Sequence, residues 1–197
     1  MKIVPDVAER VGEHTIRHNM GALRERAAFG MGNRMGLLLY PLAAVLRNRP
    51  DARVLIVGPR TEDDLYWARA LGMANVRGLD LFSYSPMIDI GDIHETPYED
   101  EAFDAVILGW VISYSTRPEW LVRECRRITK KGGYLGFGIE SNPEHRRTGK
   151  YGPPRANWLN CGRDIEQIVR EPIVFVHDPM LDVPTDNAII FQMTELG

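Results

Sequence analysis

The fold is decided by residues 53–72, which read RVLIVGPRTEDDLYWARALG. The run 53–57 is short, apolar and rich in β-branched side chains, and a Gly-Pro pair stops it, which is typical of a buried strand. Residues 63–72 then place apolar side chains at helical spacing and end on a glycine, a residue that commonly terminates helices. A buried strand followed at once by a helix is the first half of a βαβ unit.

The same alternation of strand and helix continues to the C-terminus. Further strands are predicted over residues 76–81, 103–111 and 134–139, with helices over 118–130 and 162–169. The last two strands, at 173–176 and 188–193, have no helix between them, and we expect them to form a closing hairpin. The predicted fold class is α/β: a doubly wound, mostly parallel, seven-stranded Rossmann-like sheet that ends in a C-terminal antiparallel hairpin strand.

Composition indicates a globular domain and argues against several function classes. The chain has 197 residues, of which 44% are hydrophobic and 26% charged, and its net charge of -3 makes nucleic acid a poor default partner. Its two cysteines are too few for a disulfide framework and lie in no metal-binding pattern, so no metal is expected. The N-terminal region lacks a signal-peptide core and its longest apolar run is too short to span a bilayer, so we expect a cytoplasmic protein with no membrane partner.

Charge divides the chain into two parts. Residues 1–50 carry eight Lys+Arg and four Asp+Glu, a net of +4, whereas residues 51–197 carry 16 and 23, a net of -7. We therefore predict an N-terminal helical arm or lid over 1–50 and a nucleotide-binding domain over 51–197. The arm is either a solvated helical cap or a lid over a negatively charged substrate. The segment 141–160 is rich in Gly, Pro and Arg and is long enough to be a functional loop beside it.

The position of the ligand follows from the predicted fold. In a doubly wound sheet the ligand lies outside the carboxyl ends of the strands, at the point where the strand order reverses. This rule nominates the loops that follow residues 57, 80, 91, 109 and 139.

Two motifs carry a resemblance to a known family. Residues 91–106 read GDIHETPYEDEAFDAV and match the pattern D-x-x-x-L-P-F-x-D-x-x-F-D-x-V in order and spacing, with Thr96 in place of Leu and Tyr98 in place of Phe. Residues 128–135, ITKKGGYL, match the turn L-K-P-G-G-x-L. The segment from about 53 to 140 thus resembles class I S-adenosylmethionine-dependent methyltransferases of the type 11 kind. The resemblance implies that S-adenosylmethionine is the cofactor and that its methyl group goes to an oxygen or nitrogen of a small metabolite.

The resemblance also assigns cofactor-binding residues. Asp80 closes the second strand, 22 residues after Gly58, where a carboxylate can accept both ribose hydroxyls of a nucleoside. Asp92 matches the family residue that accepts from the adenine amino group, and the N–H of Ile93 would meet a ring nitrogen. Gly109, in the loop after the central strand, completes the set. The alternatives are a helix-capping or surface role for Asp80 and a turn-capping role for Asp92.

The loop after the first strand departs from the family pattern. The family has an acidic residue at the end of this strand and a G-x-G-x-G loop after it, whereas residues 56–62 read IVGPRTE and keep only Gly58. Arg60 and Glu62 stand in the loop instead. We predict that Arg60 binds the carboxylate of the methionine end of the cofactor and that Glu62 binds its ammonium. The alternative is that both are exposed residues at the start of a helix.

Methyl transfer needs in-line positioning of the acceptor and a general base. The candidates on the carboxyl-end loops are His94, Tyr114 and Glu140, although His94 could equally be a loop histidine in contact with solvent. Trp110 and Trp158 could stack on a planar substrate, but a packing role suits each of them better.

Three functions stay open at this level. The first is the methyltransferase described above. The second is a non-catalytic methyltransferase-like scaffold or partner subunit that has lost cofactor binding, as the degenerate glycine loop suggests. The third, a nicotinamide enzyme, is disfavoured because no G-x-G-x-x-G opens the first helix. The sequence also leaves open whether the protein forms a homodimer.

Overall fold

A mixed sheet of seven strands forms the centre of the chain. The computed structural model describes residues 2–3, 17, 20–21, 34–59, 61–143, 157–179 and 183–194. The strands in this part of the chain are β1 (Lys2–Ile3), β2 (Arg53–Val57), β3 (Asn75–Asp80), β4 (Phe82–Ser83), β5 (Ile88–Ile90), β6 (Phe103–Leu108), β7 (Thr129–Ser141), β8 (Ile173–His177) and β9 (Thr185–Gln192). The order of the large sheet is β5-β3-β2-β6-β7-β9-β8.

The strand directions confirm the predicted fold class. Strands β5, β3, β2, β6 and β7 pair in parallel, and β9 pairs antiparallel with both β7 and β8. The antiparallel strand lies inside the sheet, however, whereas we expected the sheet to end on it. The reason is burial: residues 187–191 of β9 are all buried, while Val174 and Val176 of β8 are exposed. Strand β9 thus takes the interior position although β8 has the higher apolar fraction, and β8 lies at the edge.

Helices cover both faces of the sheet. They are α1 (Gly36–Leu46), α2 (Asp63–Ala70), α3 (Pro118–Ile128) and α4 (Gly162–Val169), with a 3₁₀ turn at Ile112–Tyr114. Alternate residues of the strands divide the core into two halves: one packs against α1 and α2, the other against α3 and α4. This three-layer arrangement buries long runs such as β6, in which all six residues are buried. Among the described residues, no helix is long and apolar enough to cross a bilayer.

The described helix of the N-terminal arm belongs to the core. Four leucines of α1, Leu38, Leu39, Leu42 and Leu46, are buried against the sheet. This part of the arm is therefore a packed layer and not a solvated cap. The division of the chain at residue 50 stays a prediction.

Residues 2–3 of the arm form a separate two-stranded sheet. Strand β1 pairs antiparallel with β4, with Ile3 opposite Phe82. This two-stranded sheet was not predicted, because two residues are too few to carry a strand pattern. It brings the start of the chain beside the segment that follows Asp80.

The end of α3 differs by two residues from the prediction. The helix ends at Ile128, and the hydroxyl of Thr129 donates to the carbonyl of Cys125 at 2.7 Å. Strand β7 then begins at once and includes the predicted Lys-Gly-Gly turn. A β-carbon at Gly133 would lie 2.8 Å from the carbonyl oxygen of Asp104, so this close approach requires glycine.

Candidate functional site

The carboxyl ends of the central strands align glycines and an aspartate in one row. The N–H of Gly58 donates at 2.8 Å to the carbonyl oxygen of Leu79, which precedes Asp80. The N–H of Gly109 donates at 3.1 Å to the carbonyl oxygen of Val57, which precedes Gly58. Asp80 in turn lies opposite Ile90 of β5. Since β3 and β6 flank β2 on opposite sides, the row crosses the point where the strand order reverses. This is where a doubly wound sheet binds its ligand.

Two turns approach each other closely within this row. Gly58 has φ +71°, and a β-carbon on it would lie 2.3 Å from Cγ2 of Val111. A β-carbon on Gly109 would lie 2.4 Å from Cε of Met35, the residue just before α1. The positive φ of Gly58 favours glycine there, and Met35 of the arm covers the end of β6 at Gly109.

Asp80 ends β3 beside this turn. Its side chain is half-buried, and its Oδ1 accepts a long hydrogen bond of 3.4 Å from the N–H of Phe82. The antiparallel pairing of β4 with β1 holds the chain immediately after it. The carboxylate thus lies at the position predicted for a ribose ligand, on a backbone that two strands hold in place.

Glu62 is bound to a neighbouring loop. The hydroxyl of Tyr84 donates to Glu62 Oε2 at 2.9 Å. Burial raises the pKa of this carboxyl, but hydrogen bonds from its own backbone N–H and from the hydroxyls of Ser85 and Tyr84 outweigh burial and hold the pKa below its ordinary value. Glu62 is therefore ionised and engaged by the segment after β4. Arg60, its predicted counterpart, lies outside the described residues.

His94 belongs to a chain of hydrogen bonds that joins the loops after β5 and β6. Its Nδ1 lies 2.6 Å from Asp92 Oδ1, and its Nε2 lies 2.6 Å from the Oγ of Ser115. The His94 side chain is 17% exposed and that of Asp92 11%. Both ring nitrogens thus have partners within the protein. Ile93, between the two, is buried in the core.

A second polar cluster holds the loop 92–101 on α3. The N–H and hydroxyl of Thr96 donate to Glu124 Oε1 at 2.8 and 2.7 Å, and Nε of Arg127 donates to Glu124 Oε2 at 2.8 Å. Burial raises the pKa of Glu124, but the hydrogen bonds from Arg127 and Thr96 outweigh it and hold the pKa below its ordinary value. Thr96 therefore replaces the leucine of the family pattern with a polar anchor.

Trp110 packs at the end of β6 and is not a free stacking surface. It is 5% exposed, has φ +59°, and its ring lies within 2.5 Å of where a β-carbon on Gly138 would be. The guanidinium of Arg34 lies over its ring, 4.7 Å from the centroid, and 3.9 Å from Asp186. The indole Nε1 has no hydrogen-bond partner in the part of the chain that the structure describes.

The other predicted site residues lie on neighbouring elements of the same edge. Tyr114 is half-buried in the 3₁₀ turn after β6, directly before Ser115. Glu140 is exposed near the carboxyl end of β7, opposite Asp186 of β9. Trp158 is 40% exposed, so the packing role that we expected for it is wrong.

Sequence reasoning missed two residues of this edge. Ser115 binds His94, and Asn157 donates from Nδ2 to the carbonyls of Ile112 and Ser115 at 2.7 and 2.8 Å. Asn157 thus holds the 3₁₀ turn in place from the segment 141–160. The only signal in the sequence was their position in two of the nominated loops. Serine and asparagine are common in loops, so their residue types did not indicate a role.

Comparison with known proteins bears out the resemblance. The family model of the methyltransferase domain matches residues 57–137. No curated protein sequence matches the chain. The similar solved structures include an S-adenosylmethionine-dependent methyltransferase of Mesorhizobium loti, with 17% identity, coverage of 82% of this chain and 98% of that one, and a TM-score of 0.61.

Two further structures show how widely this fold is used. The [4+2]-cyclase SpnF is 16% identical over 78% of this chain and 80% of its own, with a TM-score of 0.61. The complex of the Haloferax volcanii Trm112 methyltransferase activator with its methyltransferase gives 14% identity, coverage of 95% and 97%, and a TM-score of 0.61. The chain therefore has the fold of S-adenosylmethionine-dependent methyltransferases.

Proposed function

We propose that the protein transfers the methyl group of S-adenosylmethionine to an oxygen or nitrogen of a small-molecule metabolite. The observation that carries the proposal is the row of Gly58, Asp80 and Gly109 at the point where the strand order reverses. The match of residues 57–137 to the methyltransferase domain supports it.

The residues present fit the nucleoside end of this cofactor. A nucleoside offers the donors of two ribose hydroxyls and one amino group, and Asp80 and Asp92 provide carboxylate acceptors on the two loops beside the row. Gly58 lacks the β-carbon that would crowd the turn between them. In the loop proposed to contact the methionine end of the cofactor, one glycine is present where the family pattern has three. The proposed ligands of that end are Arg60 and Glu62.

The chain's own part in the reaction is to position the acceptor and to remove its proton. When bound, the cofactor supplies an electrophilic methyl group. The acceptor must then be held in line with the reacting bond, which supplies much of the acceleration. Tyr114 and Glu140 are the proposed bases, since each lies at the carboxyl edge after a central strand. His94 is less suited to this role, because Asp92 and Ser115 occupy both of its ring nitrogens.

The proposed acceptor site lies under the arm. Met35 covers Gly109, Arg34 covers Trp110, and Asn157 holds the turn that carries Tyr114. Residues from both the arm and the segment 141–160 thus reach the end of β6. These contacts support a lid formed by the arm.

One observation favours the non-catalytic alternative. Val111 packs directly on Gly58, and only this one glycine of the family loop is present. The cyclase among the similar structures is a reminder that a fold does not by itself determine the reaction. Cofactor binding separates the two functions.

The test is calorimetric titration with S-adenosylhomocysteine. We expect the wild-type protein to bind it and Asp80→Ala to bind at least tenfold more weakly, because each lost charge-assisted bond contributes about 1.5–3 kcal/mol and about 1.4 kcal/mol is tenfold. Asp51→Ala, at the opposite end of β2, is the control and should bind like the wild type. No binding by the wild type would favour the scaffold, and unchanged affinity of Asp80→Ala would rule out its ribose role.

A further inference from the structure

The side chains of Ser115, His94 and Asp92 form a chain of hydrogen bonds, which we call the hydrogen-bond sequence. The N–H of Arg117 donates to Ser115 Oγ at 3.0 Å, and this oxygen lies 2.6 Å from His94 Nε2. Because the Asp92 carboxylate accepts at the Nδ1 side, a neutral His94 accepts from the serine hydroxyl at Nε2. A neutral imidazole that accepts at Nε2 carries its proton on Nδ1. That proton lies between Nδ1 and Asp92 Oδ1, 2.6 Å apart. Every bond in the sequence has one donor and one acceptor.

These hydrogen bonds end on one carboxylate oxygen of Asp92, which accepts twice from His94. Asp92 Oδ1 accepts from the backbone N–H of His94 at 2.9 Å as well as from Nδ1. Two donors from one residue restrict rotation of the carboxyl group, which would otherwise lose that freedom on binding a ligand. Ser115 is 4% exposed, so a substrate does not reach it as a nucleophile. The arrangement is therefore suited to orienting Asp92 and not to nucleophilic chemistry.

We propose that His94 is a positioning residue that gives the cofactor site its selectivity for a 6-amino purine. This inference rests on the proposed function, in which Asp92 faces the nucleobase. A carboxylate accepts from an exocyclic amino group but meets only another acceptor in a 6-oxo purine. Because His94 donates to Asp92, it keeps this carboxylate pointing in one direction. Loss of that donor lets the carboxylate turn, and discrimination between the two purines falls.

The test uses two amide substitutions at the same position. In His94→Asn the amide nitrogen takes the place of Nδ1 and can still donate to Asp92. In His94→Gln the amide lies where Nε2 was, so it reaches toward Ser115 and loses the donor beside Asp92. The two variants have similar polarity and differ mainly in which end of the sequence they preserve.

The measurement is the ratio of affinities for S-adenosylhomocysteine and S-inosylhomocysteine, by calorimetry. The ligands differ at the purine 6-position and at N1, which carries a hydrogen only in the 6-oxo purine. Partial unfolding of a variant changes both affinities equally and leaves the ratio unchanged. We expect the wild type to prefer the 6-amino ligand at least tenfold and His94→Asn to keep the ratio within about threefold of that value. His94→Gln should lower the ratio by more than about threefold, and the part of the preference that arises at N1 should remain.

Each result decides the inference. Equal affinities of the wild type for the two ligands, or a full ratio in His94→Gln, would overturn the role of His94 while leaving cofactor binding intact. A ratio near unity in both variants would also overturn it, because the donor to Asp92 would then not be the feature that matters. If the wild type binds neither ligand, the proposed function fails and the inference falls with it.

Discussion

The close approach of Gly58 to Val111 predicts a large loss of stability for Gly58→Ala. Gly58 has φ +71°, a conformation that L side chains rarely adopt, and its missing β-carbon would lie 2.3 Å from Val111 Cγ2. The substitution therefore imposes a backbone cost and a packing cost at the same point. Since Val111 is only half-buried, its side chain can move, but the backbone cost stays.

The two costs can be worked out separately. A left-handed backbone costs a non-glycine residue about 1–2 kcal/mol, and overpacking by one methyl group costs about 1–3 kcal/mol. Gly58→Ala should therefore lose about 2–5 kcal/mol in total. Gly132→Ala is the matched control, since Gly132 has φ +69° and no heavy atom of the described part of the chain lies within 4 Å of its β-carbon position. It should lose only the backbone part.

Urea unfolding of the ligand-free protein measures both losses. The packing part should disappear in the double variant Gly58→Ala with Val111→Ala, so that a double-mutant cycle gives a coupling of about 1–3 kcal/mol. Equal losses for Gly58→Ala and Gly132→Ala, or strictly additive effects of the substitutions at 58 and 111, would refute the packing argument. Such a result would mean that the two turns separate at little cost.

Two further predictions concern titratable groups in the core. The pKa of Glu124 is below its ordinary value in the folded protein. Its ionised form therefore stabilises the fold at pH values above the unfolded pKa of about 4.3, and this stabilisation is lost as the pH falls through the lower pKa of the folded state. Glu124→Gln should cost about 1.5–3 kcal/mol at neutral pH and flatten the acid dependence of urea unfolding; an unchanged pH slope would contradict this. Burial, reinforced by Glu124, raises the pKa of the Cys125 thiol, so a Cys161→Ser variant should react with a disulfide reagent only after unfolding. Rapid labelling of the native variant would show that Cys125 is accessible.

The local pattern of the chain determined the fold class. The apolar run 53–57 and the helical spacing in 63–72 predicted a strand and a helix, because burial on both faces demands continuous apolar residues and burial on one face demands a helical period. The motif over 91–106 predicted the family, since its order and spacing are linear properties of the chain. Asp80 and Asp92 could be nominated because the ends of strands were predictable.

Tertiary structure alone decided which side chains meet at the site. The strand pattern did not reveal that β9 lies inside the sheet, because neighbours in a sheet depend on how the whole chain crosses over. Nor did it reveal that His94 meets Ser115, 21 positions further along the chain, or that Tyr84 binds Glu62, 22 positions before it. A side-chain hydrogen bond between two loops has no period and no composition, and it depends on where two backbones end relative to each other. The sequence could thus identify the edge of the sheet that we propose as the ligand site, whereas the hydrogen bonds that hold its residues in place required the folded chain.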